Sequence, residues 1–171
     1  MSLQPVRARA AHTATLLPDG RVLIAGGCAV DGCTTAEVEP SSEFYVPGRG
    51  FVAGPAMVHP RSGHTATALR DGRILIVGGW AHEGVAPLAA AEIFDPQTGT
   101  FKPAGKLRIG RGGQIASLLP DGRVLIAGGW SSSDQITASV EIFDPRTNSF
   151  SQGPPMPGPR DAAAAVTLPD G

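Results

Sequence analysis

The sequence predicts an all-β chain, a β-propeller segment, and three observations predict it. HTATLLPDGRVLIAGG at His12–Gly27 returns as HTATALRDGRILIVGG at His64–Gly79 and as QIASLLPDGRVLIAGG at Gln114–Gly129. The pairs Asp19-Gly20, Asp71-Gly72, Asp121-Gly122 and Asp170-Gly171 step by 52, 50 and 49 residues, and such a period marks an array of one supersecondary unit. Each period holds short strand-like runs and turn residues without helical spacing. Four-stranded units repeated radially are the blades of a propeller.

The second repeat shows each element in order. His64–Leu69 mixes alanine with threonine, which suits a strand in a crowded place. Asp71-Gly72 between two strand-like runs is a hairpin signal, because both residues accept positive φ. Arg73–Val77 is a continuous apolar run bracketed by glycines, as in a strand buried on both faces. Gly78-Gly79 ends it and lets another backbone approach closely. After a variable stretch, Ala91–Asp95 forms a third strand, residues 96–99 turn, and Thr100–Lys102 begin a fourth. Repeat one repeats these pieces at Val22–Ala25, Glu43–Val46 and Phe51–Ala53, and repeat three at Val124–Ala127, Glu141–Asp144 and Phe150–Gln152. The expectation is a single partial propeller over 1–171. Its repeats fall at about 8–58, 59–107 and 108–157, with a partial one at 158–171: three four-stranded antiparallel blades plus the first strand of a fourth.

Composition narrows the function classes. Formal charge is −1 and pI near 6.4, so no basic field argues for nucleic acid. No apolar run is long enough to insert in a membrane, and the first residues have no signal-peptide stretch. The 23 glycines and 16 prolines recur in register with the repeat, so they mark turns and not a disordered tract. Scarce lysine and asparagine with abundant alanine point to a GC-rich bacterial genome.

Within the second repeat, Pro60-Arg61-Ser62-Gly63-His64, Gly78-Gly79, Glu92-Ile93-Phe94-Asp95-Pro96 and Phe101 resemble the kelch repeat, and the resemblance covers almost the whole chain. There are departures. The aromatic after the third-strand glutamate is Tyr45 once and Phe94 or Phe143 elsewhere, and Phe51, Phe101 and Phe150 stand where the family has tryptophan. Each keeps an apolar ring. The resemblance implies six or seven blades, so the expectation is a fragment of a larger protein, with a ring closed by two copies as the rival. An open arc of blades is expected to expose apolar faces at both ends and to be marginal or aggregation-prone as a monomer.

Candidate chemistry lies at four places. Arg9, Arg61, Arg111 and Arg160 each precede the Asp of Asp-Gly by ten residues, which could ring a channel mouth with guanidiniums or tie blades together through Glu43, Glu92 and Glu141. Three positions on, the register varies as His12, His64, Gln114 and Ala163. His12 and His64 would be neighbours able to contact a ligand, but no third ligand at useful spacing makes a metal site. After Gly-Gly stand Cys28, Trp80 and Trp130; exposed tryptophans could anchor a partner or pack on the next blade. Cys28 and Cys33 sit five apart in the longest of these loops and are candidates for a local disulfide, which implies an oxidising compartment.

Catalysis is poorly supported. The resemblance includes galactose oxidase, whose copper site uses tyrosine, histidine and a cross-linked cysteine, and sialic-acid mutarotases. The one tyrosine, Tyr45, sits at a repeated core position, and Asp31, Glu37, Glu39 and Glu83 fall in variable loops. No cofactor is expected. The function expected is a non-catalytic binding module for a protein or glycan, exported by a bacterium to its envelope or exterior. Recognition is expected through Cys28–Glu39, Trp80–Leu88 and Trp130–Thr137, with His12, His64 and Gln114 contributing. The alternatives are a fragment of a propeller enzyme with its catalytic residues in other blades, or a structural piece that oligomerises into a ring.

Overall fold

The computed structural model describes residues 7–29, 33, 38, 40–82, 86–131 and 135–167. Three four-stranded antiparallel sheets follow one another along the chain. Blade 1 holds β1 (Thr13–Leu16), β2 (Val22–Ala25), β3 (Ser42–Val46) and β4 (Gly50–Ala53), paired in chain order. Blade 2 holds β5 (Thr65–Ala68), β6 (Ile74–Val77), β7 (Ala90–Asp95) and β8 (Thr100–Lys106). Blade 3 is preceded by the short β9 (Arg111–Gly112), then holds β10 (Ile115–Leu118), β11 (Val124–Ala127), β13 (Val140–Asp144) and β14 (Ser149–Gly153). The two-residue strand β12 (Trp130–Ser131) pairs with β9 above the innermost hairpin. Bridges Ala10–Cys28 and Ser62–Trp80 repeat this pairing in blades 1 and 2. There is no α-helix among the described residues.

The apolar run of β6 is buried on both faces by alternation. Ile74 and Ile76, with Phe94, pack on Leu17, Leu23, Phe44 and Met57 of blade 1. Leu75 and Val77, with Ile93, pack on Val124, Ile126 and Phe143 of blade 3. Ile74, Ile76 and Phe94 are completely buried; each contributes about 1.5–3 kcal/mol relative to exposure. Tilted ring pairs form within and between blades, Phe94 lying 4.9 Å from Phe101 and 5.8 Å from Phe44. The register that buries Phe94 in blade 2 is held in blade 1 by Tyr45, which is 38% exposed, and Leu16, paired with Val22 at the edge of blade 1, is 66% exposed.

A fourth first strand was expected at 158–171. The described part, 158–167, forms no strand. It still lies along β10: Thr167 bonds Ser117 and donates to the Leu118 carbonyl at 2.7 Å. Asp170 and Gly171 lie outside the described residues.

Candidate functional site

The repeated arginines are consumed inside the blades. Arg61 has no exposed surface; its Nη1 donates to the carbonyls of Gly78 (2.7 Å) and Ala90 (3.1 Å), and Nη2 to Glu92 at 2.6 Å. Glu92 also accepts the Val58 amide at 2.7 Å. Arg111 repeats the pattern on Gly128, Ser139 and Glu141, and Arg9 on Gly26, Ser41 and Glu43. Burial pulls the Arg61 and Arg111 pKa values below the ordinary guanidinium value, and the glutamates push back. The ties therefore run from the segment leading into each blade to that blade's own third strand, not between neighbouring blades. A ligand at the channel mouth would find Arg61 and Arg111 fully buried and bonded. Arg160 is exposed.

Adjacent blades are joined by backbone. The Gly27, Gly79 and Gly129 amides donate to the carbonyls of Arg61, Arg111 and Arg160 in the following repeat, at 2.8–2.9 Å. A second set runs head to tail: Gly63 donates to Ala11, Gly113 to Gly63 and Ala162 to Gly113, a belt at 2.9–3.2 Å. The belt holds all four residues at positive φ, between 48° and 67°. The first glycine of each Gly-Gly is also required sterically: a Cβ on Gly26 or Gly78 would overlap the Arg61 or Arg111 carbonyl.

The variable register works as a bolt between blades. His64 is 6% exposed, and its Nε2 lies 2.9 Å from the Thr13 hydroxyl of blade 1. Gln114 is equally buried and donates from Nε2 to the Val77 carbonyl (2.7 Å) and the Thr65 hydroxyl (3.4 Å) of blade 2. His12 and Ala163 are exposed. Burial, with repulsion from Arg61 and His12, lowers the His64 pKa from 6.5 to about 3, so the ring is neutral. Among the described residues no three His, Cys, Asp or Glu side chains are grouped to hold a metal.

The tryptophans lie across the same seam. The Trp80 ring covers Gly63 and Gly112 so closely that a Cβ on either would strike it. Trp130 donates from Nε1 to Asp161 at 2.6 Å, and both indoles are half-buried. Asp161 occupies the register of Gly112, a link that no local motif signals; only aligning the fourth partial repeat onto the third would have found it. Cys28 and Cys33 form a disulfide. Tyr45 packs at a tilt against Phe51, 5.3 Å between ring centres. Of the loops expected to carry recognition, residues 30–32, 34–37, 39, 83–85 and 132–134 lie outside the described residues, Asp31, Glu37, Glu39 and Glu83 among them. Beside them His82, Gln135 and Ile136 are exposed, Ile136 by 42%.

On the opposite face the Asp-Gly turns form a row. Asp19, Asp71 and Asp121 each bind the arginine two residues on, at 2.7 Å, and hydrogen bonds from that arginine lower each carboxyl's pKa.

Comparison with known proteins agrees with this geometry. The Kelch motif family matches residues 60–108 and 112–157, together more than half of the chain. A curated relative, an F-box/kelch-repeat protein of Arabidopsis thaliana, is 30% identical over 74 residues, 42% of this chain. The match spans 16% of that relative's length.

Proposed function

The chain belongs to the kelch-repeat family, and from that premise we propose that it is a binding module for other proteins, working through the face that carries the loops between second and third strands. One observation carries the reading: the residues that repeat from blade to blade are turned inward. The Arg–Glu pairs and the Gly-Gly doublets are spent on architecture, and the varying register of His64 and Gln114 is spent the same way. What differs between repeats is the loops, and a rigid scaffold presenting variable loops is the usual arrangement for recognition. The Cys28–Cys33 disulfide braces the first of them and supports an oxidising, extracytoplasmic setting. Kelch repeats generally bind proteins, and a protein is preferred to a glycan as ligand because Trp80 and Trp130, the rings that could stack on sugar, are engaged by the neighbouring blade.

The test is selection from a displayed peptide library on the immobilised chain, with a glycan array in parallel. Selected peptides should bind His82→Glu and Ile136→Asp variants at least about tenfold more weakly, as expected for loss of a contact at an interface centre. Peptides indifferent to both variants, or ligands found only on the glycan array, would overturn the proposal.

A further inference from the structure

Cys28 stands in the register that Trp80 and Trp130 hold in blades 2 and 3, directly after Gly-Gly. In those blades an indole pins the start of the loop, Trp80 lying over Gly63 and Gly112 and Trp130 bonding Asp161. In blade 1 the pin is sulfur, the Cys28–Cys33 disulfide. The attachment of this loop, the longest of the three, therefore depends on oxidation state, and that of the other two does not.

The two cysteines are held differently. Cys28 is 1% exposed, and its backbone is clamped whatever its sulfur does. Its amide and carbonyl bond Ala10 at 3.0 and 2.8 Å, and Val38 bridges its other side. Its Sγ lies 3.7 Å from the Ala10 carbonyl oxygen, so a thiol formed there has an acceptor in place and packs as a small apolar group. Cys33 is half-buried and has a φ of 55°, in the left-handed region that disfavours residues with side chains. Of the other non-glycine residues at positive φ, Ala11 and Ala162 are held by the belt, and Asn148 is of a type that visits this region readily. Cys33 has neither support; its bond to the clamped Cys28 is the restraint seen on it among the described residues.

We propose that the Cys28–Cys33 bond is a redox switch for the first variable loop: a dithiol opens it, and the loop is released while the blade stays closed. The incoming thiolate attacks Cys33 Sγ, which belongs to the less buried cysteine. The S–S bond breaks, and Cys28 leaves as a thiolate that takes a proton from solvent beside the Ala10 carbonyl. The reductant's second thiolate then attacks its own sulfur in the mixed disulfide and releases Cys33, which is protonated in turn. The protein gains two electrons and two protons, and the dithiol becomes a disulfide. Reduction lets the Cys33 backbone leave positive φ, while Ala10 keeps Cys28 in place, so the change is confined to the loop. That the switch governs recognition rests on the binding role proposed above. The opening of the loop does not.

The test adds dithiothreitol to the ¹⁵N-labelled chain at neutral pH without denaturant and follows amide chemical shifts. Ala29 and Cys33 should move, and should return when oxidised glutathione replaces the dithiol. Gly63, Gly79 and the β6 amides should stay where they are. Cys33→Ser, which leaves Cys28 as a thiol, should give the reduced spectrum with or without dithiothreitol. In the reduced chain, iodoacetamide should alkylate Cys33 at least about tenfold faster than Cys28. Peptides from the library selection should bind the reduced chain at least about tenfold more weakly, because the released loop must be ordered on binding. A disulfide that opens only in denaturant, equal alkylation of the two cysteines, or shifts that spread to Gly63 and Gly79 would overturn the switch. Peptides that bind both states equally would overturn its part in recognition. An empty library selection with the loop opening as described would leave the switch standing and remove the loop face.

Discussion

His64 couples the stability of the chain to pH through one contact between blades. In the native protein its imidazole is buried against Thr13, with its pKa lowered from 6.5 to about 3. Between those values the folded chain carries no proton there, while the unfolded chain takes one up below about pH 6.5. Unfolding therefore binds a proton in this window, so stability rises with pH. It is complete above pH 6.5 and is lost as pH falls toward 3, by about 1.4 kcal/mol per pH unit. At pH 5 the loss is about 2 kcal/mol, a large share of the roughly 5–15 kcal/mol that holds a native domain together. Asp19, Asp71, Asp121 and Asp144, lowered by their arginines, act in the same direction only below about pH 4 and are too exposed to add much. The perturbation is His64→Gln, the residue that the chain itself places in this register at Gln114. The assay is urea unfolding followed by the fluorescence of Trp80 and Trp130 at pH 7.5 and pH 5. The variant should fold at pH 7.5 and lose about 2 kcal/mol less than wild type on going to pH 5. Equal losses in the two proteins would refute the reasoning, because His64 would then titrate as it does in the unfolded chain.

Two further outcomes follow from burial. Arg61→Met should cost about 3–5 kcal/mol in urea unfolding, because it strands Glu92 and two carbonyls in a dry seam, and Arg61→Met with Glu92→Gln should recover part of that loss; a cost below about 1 kcal/mol would mean that water reaches the pair. Leu16 and Leu118 share a register, yet Leu16 is 66% exposed and Leu118 packs on the blade 2–3 core. Leu16→Ser should change stability by less than about 0.5 kcal/mol and reduce self-association in light scattering, whereas Leu118→Ser should cost more than about 1 kcal/mol.

The architecture was legible because it is written three times. Asp-Gly, the apolar run and Gly-Gly have the same spacing in every repeat, and turn chemistry plus double-sided burial left one arrangement for them. The glutamate partners of the arginines were legible too, since they repeat in step. That each pair closes within a blade was not, because repetition gives registers and not the neighbour across which a long side chain reaches. The His64 and Gln114 bolts were hidden for a related reason. A residue that varies in an otherwise constant register resembles a ligand contact, and only Thr13 and Val77 opposite show that it is matched to the preceding blade.

The division between constant registers that hold the blades and variable loops that recognise is tested most directly by amide hydrogen exchange. The account predicts that the Gly27, Gly63, Gly79 and Gly113 amides, which cross from blade to blade, are protected as strongly as those inside β6 and β11. Exchange of those four at the rate of a turn amide such as Gly99 would contradict it.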